Sequence, residues 1–297
     1  MKDRDTQNVG QDSGAGDYTA SVSGLPTLSD KAFQRIRTLV YNFCGINLTE
    51  QKRSLIVGRL NKMLKAYGVA DFDTLCDMFE KDSTGKMMSE LANSISTNHT
   101  FFYREKAHFE YFFETAFPQA VEACKQEGHK DLRIWCAGCS SGEEPYMLVM
   151  LMMEYLGAEY SRWDAGILAT DISTKALSTA IAGIYPEERL TQLPAKLKNK
   201  YFRKVEGGWQ VVDAVRKEVT FRRFNLMNPT FKFKKPFHTI FCRNVMIYFD
   251  SQTRETLVNK YFQNTRPGGY LFIGHSESLG RVGCPYEYVM PALYRRE

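Results

Sequence analysis

The stretch from Leu132 to Tyr146 joins a strand-like apolar run to small residues and then to two adjacent acids, Glu143 and Glu144, ahead of Pro145. Proline is well tolerated in the first turn of a helix, where its missing N–H would have no helical partner. In open α/β sheets, ligands bind in the crevice beyond the carboxyl ends of the strands. The residues after this strand are therefore candidates for ligand contact.

A nucleotide phosphate would need bare backbone N–H groups at the start of the helix. Glu143 and Glu144 occupy that start, and their negative charges would repel a phosphate. The loop is G-x-x-x-G, which is neither the dinucleotide-binding pattern nor a Walker A sequence. A cofactor such as S-adenosylmethionine, which carries a sulfonium and an ammonium and no phosphate, suits carboxylates better. The alternative is that either acid only complements the helix dipole.

A redox site is the second alternative for this loop, since Trp135-Cys-Ala-Gly-Cys139 has the W-C-x-x-C pattern of thioredoxin-like proteins. In those proteins the first cysteine lies at a helix N-terminus. Here the helix is predicted to begin only near Pro145, so the pattern favours two cysteines packed as small apolar residues.

Asp171 directly follows the next predicted strand, Gly166–Thr170. An acidic side chain at the end of the strand after a nucleoside-binding loop commonly accepts hydrogen bonds from both ribose hydroxyls. Asp171 could equally be only the N-cap of the following helix, and the spacing leaves both functions open.

The elements that must position these residues begin after about residue 98. Apolar runs with the character of strands are Leu132–Ala137, Gly166–Thr170, Val219–Phe224, Thr239–Phe241 and Tyr270–Ile273. Helical stretches lie between several of them, namely Pro145–Leu156, Thr174–Ala182 and Gln252–Asn264. This alternation predicts a doubly wound α/β domain with a mainly parallel sheet.

Three further features are predicted within this domain. The pair Gly268-Gly269 indicates a turn before the last long strand, and Ala292–Arg295 is expected to return antiparallel. Tyr201–Val205 and Trp209–Val215 flank another glycine pair and predict a β-hairpin inserted at about residues 196–217.

The amino-terminal part of the chain has a different composition. Residues 1–26 are rich in Gly, Ser, Asp and Thr, so we expect a disordered tail without a signal peptide. Residues 27–97 have a helical pattern with breaks near Gly45, Gly68 and Gly85, which predicts a small helical domain ahead of the α/β domain at 98–297.

Positive charge is concentrated in this helical part, where Leu28 to Tyr67 holds eight Lys or Arg against two Asp or Glu. The segment Thr49 to Tyr67 is predicted to be one amphipathic helix. Its apolar side is predicted to carry Leu55, Ile56, Leu60, Met63, Leu64 and Tyr67, and its basic side Lys52, Arg59, Lys62 and Lys65. Such a face would bind an acidic protein segment or a nucleic acid.

The composition of the 297 residues, 43% hydrophobic and 25% charged, is that of a globular protein. No run of about 18 apolar residues is present in the sequence, so we expect no insertion into a membrane. The seven cysteines follow no repeating spacing, which favours free thiols in a reducing cytoplasm.

Several segments together resemble the chemoreceptor glutamate methyltransferase (CheR) family. They are Ser96–Glu105, Gly142–Tyr146, Ala169–Ile172, Phe241–Asp250 and Gly274–Leu279. The resemblance implies an all-α domain, followed by a Rossmann-like S-adenosylmethionine-dependent methyltransferase domain that contains a small β-subdomain. It implies methylation of glutamate side chains on chemotaxis receptors, with S-adenosylhomocysteine as the other product and no metal.

The resemblance also assigns site residues. Cofactor contacts fall on Asn98, Thr100, Arg104, one of Glu143 and Glu144, Asp171, Asn225, Leu226, Arg243 and Asn244. The catalytic pair falls on Arg104 and Tyr248, and the receptor-binding surface on Arg53, Arg59 and Lys62.

The expected partners are the cytoplasmic domains of transmembrane chemotaxis receptors, met by a cytoplasmic monomer recruited to receptor arrays, with no nucleic acid bound. A nucleic-acid methyltransferase and a non-catalytic cofactor sensor remain the alternatives.

Overall fold

The computed structural model describes residues 26–96, 98–280 and 284–297. The predicted disordered tail lies outside the described residues except for Pro26. Among the helices that are described, none combines the length and the apolar character needed to cross a lipid bilayer.

The amino-terminal part folds into helices, as predicted. They are α1 Asp30–Cys44, α2 Arg53–Tyr67, α3 Phe72–Lys81 and α4 Lys86–Ile95. Gly45 and Gly68 end α1 and α2 in the left-handed conformation, with φ of 72° and 65°, and Gly85 precedes α4 with φ of 68°. Glycine adopts this conformation without a Cβ clash, so the predicted breaks are confirmed.

The predicted apolar side of α2 was wrong at Leu55, which is 50% exposed. The buried residues Ile56, Leu60, Met63 and Leu64 follow helical spacing. Leu55 instead precedes Arg59 by four positions and Lys62 by seven, which places all three on the same outward stripe. A short turn at Glu50–Lys52 precedes the helix, so α2 begins later than the predicted Thr49 cap.

The rest of the chain alternates strands and helices. The strands are β1 Ile134–Ala137, β2 Ile167–Asp171, β3 Ile184–Tyr185, β4 Phe202–Val205, β5 Gly208–Val211, β6 Val219–Arg223, β7 Phe237–Cys242, β8 Thr265–Ile273, β9 Glu287–Met290 and β10 Leu293–Arg295. The helices are α5 Lys106–Tyr111, α6 Phe117–Gln126, α7 Glu143–Leu156, α8 Thr174–Ala182, α9 Ala195–Tyr201, α10 Asp213–Arg216 and α11 Ser251–Asn264. A π-helical segment, Phe112–Ala116, joins α5 to α6.

In the described residues, seven strands form one sheet in the order β6-β2-β1-β7-β8-β10-β9. The pairs from β6 to β8 are parallel, and β10 is antiparallel to both β8 and β9. The sheet confirms the predicted doubly wound fold and the antiparallel return at the end of the chain. The strand order reverses between β1 and β7, which defines the switch point where such sheets bind ligands.

Both faces of this sheet are covered. Ile134 and Cys136 of β1 pack into one hydrophobic core with α7, whereas Trp135 and Ala137 pack into a second core on the other face. The second core also contains buried apolar residues from each of the helices α1 to α4. The helical domain is therefore packed against the sheet and reaches the ligand-binding edge.

The glycine pair Gly268-Gly269 lies inside β8 and not before it as predicted, and Gly268 has φ of 77°. A Cβ on Gly269 would lie 2.8 Å from the carbonyl oxygens of both Arg266 and His238. The register between β7 and β8 also shifts between Phe237 and Thr239. Gly269 therefore permits a close approach of two strands at a bulge.

The predicted hairpin is present as β4 and β5, with Val205 paired to Gly208. The second strand is shorter than predicted, because Asp213–Arg216 is helical. The sequence analysis missed β3, which pairs with β5 as the third strand of this small sheet. The sheet therefore begins upstream of the predicted insert at residues 196–217.

Candidate active site

A cavity of about 1230 Å³, its open mouth included, lies beyond the carboxyl ends of β1, β2, β6 and β7. Residues from widely separated parts of the chain line it. From the predicted cofactor set these are Asn98, Thr100, Arg104, Glu144, Asp171, Asn225, Leu226, Arg243 and Asn244, and Tyr248 joins them. Of that set, Glu143 is outside the cavity lining.

The loop after β1 is tied to the end of β2. The backbone N–H groups of Gly138 and Cys139 both donate to the carbonyl of Thr170, at 2.8 and 2.9 Å. Gly138 has φ of 85°, and a Cβ there would lie 2.4 Å from Cγ2 of Val245, so the loop requires glycine at this position. The close packing leaves the loop backbone facing the cavity.

Asp171 lies at the end of β2 and is 9% exposed. Its two oxygens accept hydrogen bonds from the backbone N–H groups of Ser140 and Ser173, each at 2.8 Å. The N-cap of α8 is Ser173, whose hydroxyl accepts from the N–H of Ala176 at 3.1 Å. The alternative in which Asp171 is only a helix cap was therefore wrong. Burial raises the pKa of Asp171, so additional donors from a ligand would favour its charged form.

The two adjacent acids of α7 have different partners. Glu144 lines the cavity and accepts a hydrogen bond from Nη1 of Arg243 at 2.8 Å. Glu143 is fully buried and accepts from the hydroxyl of Ser141 at 2.7 Å, with Arg189 at 3.5 Å. Burial raises the pKa of both carboxyl groups. The structure therefore distinguishes the two acids, which the sequence left equivalent: Glu144 lines the cavity and Glu143 does not.

Arg243 connects Glu144 to a second acid, Glu105, at 2.9 Å. The side-chain amide of Asn244 also donates to Glu105, at 3.2 Å. Burial alone would raise the pKa of Glu105. The charge and hydrogen bonds of Arg243, together with the hydrogen bond from Asn244, outweigh burial and lower this pKa. Sequence reasoning missed Glu105 as a site residue, although it closes the Ser96–Glu105 segment.

A second residue missed by sequence reasoning, Glu277, lies outside the cavity lining and supports the turn after β7. Its carboxylate accepts from the backbone N–H of Asn244 at 3.0 Å and of Ile247 at 3.1 Å. Asn244 has φ of 58°, and a Cβ on Gly274 would lie 2.5 Å from its Nδ2 atom. Glu277 thus holds the turn that presents Asn244 and Tyr248 to the cavity.

The proposed catalytic residues, Arg104 and Tyr248, both line the cavity. The guanidinium of Arg104 donates to the carbonyl of His99 at 2.7 Å. The backbone of Tyr248 accepts from the N–H of Asn47 at 2.8 Å, and the ammonium of Lys52 lies 5.2 Å from the centre of its ring. The helical domain therefore borders the site at Tyr248.

Backbone strain is concentrated around this cavity. In the described ranges, the non-glycine residues with positive φ are Tyr103, Glu105, Ser140, Asn244 and Ala292. All but Ala292 lie on the loops that form the site. Such conformations persist only where surrounding contacts enforce them, and they are frequent at functional sites.

Glu105, His108 and His275 have potential metal-ligand atoms within 4.8 Å of one another. Burial lowers the pKa of His108 to about 3, so its ring is neutral. The carboxylate of Glu105 is already paired with Arg243, however, and a metal ion would have to compete with that guanidinium.

The two cysteines of the W-C-x-x-C pattern, Cys136 and Cys139, are buried free thiols. Burial raises the pKa of both well above the ordinary value. Reactive cysteines require the opposite shift, so the redox alternative is not supported.

The predicted receptor-binding residues differ in their surroundings. Arg53 is paired with Asp30 at 2.6 Å and with Glu50 at 3.3 Å. The guanidinium of Arg59 donates to the carbonyl of Ile95. Lys62 is exposed on the outward stripe of α2.

Residues 98–289 match the SAM binding domain of CheR methyltransferases, and residues 31–96 match the all-alpha domain of the same proteins. Fold and site therefore define an S-adenosylmethionine-dependent methyltransferase. The chain is 43% identical to a chemotaxis protein methyltransferase of Borreliella burgdorferi, across 88% of this chain and 93% of that one. The chain belongs to the CheR methyltransferase family, and the resemblance found in the sequence is confirmed.

Another relative and a solved structure are also similar to this chain. A chemotaxis protein methyltransferase of Salmonella typhimurium is 35% identical, across 86% of each chain. The solved structure of PKMT2 from Rickettsia typhi in complex with AdoHcy is 11% identical and covers 60% of this chain and 26% of that one, with a TM-score of 0.34.

Proposed function

We propose that this protein transfers the methyl group of S-adenosylmethionine to glutamate side chains of chemotaxis receptors, forming methyl esters and S-adenosylhomocysteine. The observation that supports it most directly is the convergence of Arg104, Glu144, Asp171 and Tyr248 on one cavity at the switch point of the sheet. We also propose that residues 27–97 form a receptor-contacting domain and residues 98–297 the transferase domain.

The chemistry of the lining fits the cofactor. Asp171 would accept the ribose hydroxyls, because its carboxylate is fixed by two backbone N–H groups. Glu144 and Arg243 offer opposite charges to the ammonium and carboxylate of the methionine part. Apolar Phe224 and Leu226 provide a surface for the adenine ring. Asn98, Thr100, Asn225 and Asn244 complete the proposed contacts.

When bound, the sulfonium cofactor supplies an electrophilic methyl group. A glutamate with an ordinary pKa of about 4.3 is already ionised at neutral pH, so the protein need not provide a general base. Holding the two reactants in line can contribute roughly 7–11 kcal/mol. The main task of the site residues is therefore alignment.

Arg104 and Tyr248 are proposed to perform this alignment. Carboxylate and sulfonium charges disappear during the transfer, so a very strong ion pair with the attacking oxygen would stabilise the reactants over the transition state. Arg104 is partly exposed and anchored to the carbonyl of His99, which suits orientation of the substrate carboxylate. Tyr248 would border the path of the methyl group.

Receptor recognition is assigned to the basic residues of α2 and to Lys52 in the turn before it, whose ammonium lies beside the ring of Tyr248. A methylation region with several glutamates is acidic, so opposite charge would accelerate encounter and fix the register. The proposed setting is cytoplasmic, at receptor arrays, with the protein acting as a monomer without nucleic acid or membrane insertion.

The test is tritiated methyl transfer from S-adenosylmethionine to purified cytoplasmic fragments of chemotaxis receptors, with RNA and DNA as parallel substrates. Incorporated label should be released as methanol in mild alkali, because carboxyl esters hydrolyse there and N-methyl groups do not. Labelled nucleic acid without labelled receptor would favour the nucleic-acid alternative, and cofactor binding without transfer to any substrate would favour a sensor.

A further inference from the structure

The segment from Asn98 to Arg104 contributes side chains to the cavity without belonging to a helix or a strand. An irregular segment must be held by side chains or by neighbouring loops if it is to keep a fixed shape. Its anchors therefore determine how well a cofactor site is formed before the cofactor binds.

Arg189 makes two of these anchoring contacts. It lies in the short turn Glu187–Leu190 that follows β3, in the part of the chain that carries the small sheet. Its guanidinium donates to the backbone carbonyl of Thr100. Its own carbonyl accepts from the backbone N–H of Phe102, at 3.1 Å. One residue thus bonds to the segment from both its side chain and its main chain.

Glu143 holds the other side of the same guanidinium. The side chain of Glu143 is 1% exposed, and its Oε1 lies 3.5 Å from Nη1 of Arg189. Its other oxygen accepts from the hydroxyl of Ser141 in the loop after β1. A buried carboxylate needs a compensating charge, and Arg189 supplies it. Glu143 therefore orients Arg189 toward Thr100.

Aromatic packing also holds the segment from Asn98 to Arg104 against the small sheet. Phe102 is fully buried, with its ring edge-to-face against Tyr185 of β3 at 5.0 Å and against Phe202 of β4 at 5.1 Å. The hydroxyl of Tyr185 donates to the carbonyl of Ser141 at 2.6 Å. The small sheet consequently contacts both loops that border the cavity near Glu144.

We propose that Arg189, held by Glu143, is a positioning residue for cofactor binding. It fixes the segment from Asn98 to Arg104 in its binding shape and touches neither cofactor nor substrate itself. This inference rests on the proposed function, because it assigns the ordered segment to S-adenosylmethionine. It also gives a role to Glu143, which lies outside the cavity lining.

The test is calorimetric binding of S-adenosylhomocysteine to the full-length protein and its variants. Arg189→Ala should raise the dissociation constant about tenfold or more, the size of one lost charge-assisted hydrogen bond. Arg189→Lys keeps the charge but cannot span both acceptors, so its dissociation constant should lie in between. Arg203→Ala is the matched control, because Arg203 is exposed on β4 and contacts Gln210 and Asp213 instead.

A double-mutant cycle separates positioning from a general loss of stability. Asn98→Ala should weaken binding less in the Arg189→Ala background than in the wild type, because the segment is already disordered there. A lower thermal midpoint with unchanged affinity and no coupling would overturn the positioning role while leaving the cofactor site intact. If the wild type did not bind S-adenosylhomocysteine, the proposed function would fail and this inference with it. Glu143→Gln provides the same measurement if Arg189→Ala does not fold.

Discussion

Arg243 donates a hydrogen bond to Glu144 across 2.8 Å within the wall of the cavity, and the Arg243 side chain is only 3% exposed. Two such groups rarely remain charged in a buried position without each other. The pair presents one positive and one negative group to the same cavity, which is the pattern expected for a ligand that ends in an amino acid.

Glu144→Gln tests that assignment. The variant should bind S-adenosylhomocysteine about 1.5–3 kcal/mol more weakly, because a charge-assisted bond to the ammonium is lost. It should bind 5′-methylthioadenosine, which lacks the amino-acid part, as the wild type does. Calorimetry with both ligands checks this, and an equal loss for the two would refute the contact with the ammonium.

Asp171→Ala should weaken both of these ligands by about 1.5–3 kcal/mol, since each carries the ribose. Ser173→Ala is the control, because it removes the cap of α8 and should lower the free energy of unfolding by about 1 kcal/mol without changing ligand affinity. An unchanged dissociation constant for Asp171→Ala would exclude ribose recognition by this residue.

Tyr248→Phe and Arg104→Lys should each lower the turnover number for receptor methylation more than they weaken binding of S-adenosylhomocysteine. Both residues are proposed to align the reacting groups, and alignment is expressed mainly in the transition state. Tyr288→Phe, at an exposed tyrosine of β9, is a matched control. Wild-type turnover in either site variant would remove that residue from the catalytic assignment.

Lys62→Glu should raise the apparent KM for receptor fragments up to about fivefold, because an exposed charge pair contributes roughly 0–1 kcal/mol. The effect should shrink as ionic strength rises, since salt screens exposed charges. Lys125→Glu makes the same charge change at an exposed position of α6 and should leave KM unchanged. Arg59 is less suitable for this test, because its guanidinium also bonds to the carbonyl of Ile95. Equal effects of the two lysine variants would argue against recognition by α2.

The free energy of unfolding should fall in acid, because His238 takes up a proton more readily in the unfolded chain than in the folded one. Burial, with the charge of Arg266, lowers the pKa of His238 to about 4, whereas an unfolded histidine has a pKa of about 6.5. The unfolded state therefore binds more protons between these values, and stability is lost as pH falls through about 6.5 toward 4.

The variant His238→Asn should lose this dependence. Near pH 5 its free energy of unfolding should change with pH by about 1.4 kcal/mol per unit less than that of the wild type. Urea denaturation at several pH values measures both slopes, and NMR of the ring protons reads the pKa of His238 directly. Equal slopes in the two proteins would contradict the assignment.

Much of the fold could be predicted because its signals are local. Gly45 and Gly68 end helices through backbone conformation alone. Apolar runs and the helices between them predicted the parallel sheet, and the end of β2 identified Asp171. The family resemblance supplied the distant members of the site, such as Asn225 and Tyr248, because its segments carry residue identity as well as pattern.

Other features depended on groups that meet only in the folded chain. Glu143 and Glu144 are neighbours in sequence, and their separate directions are set by Arg189 and Arg243, 46 and 99 residues further on. Gly269 is needed because the carbonyl oxygen of His238 in β7 would lie 2.8 Å from a Cβ at that position.

The sequence by itself determined the fold class, the family and ten of the 25 residues that line the cavity, since these follow from local periodicity and from motifs. Tertiary structure alone decided which acid faces the cavity and which basic residues remain exposed. Leu55 shows the reason most simply, since an apolar residue on a helix is buried only where another element packs against it, and none does so at its position in the described structure.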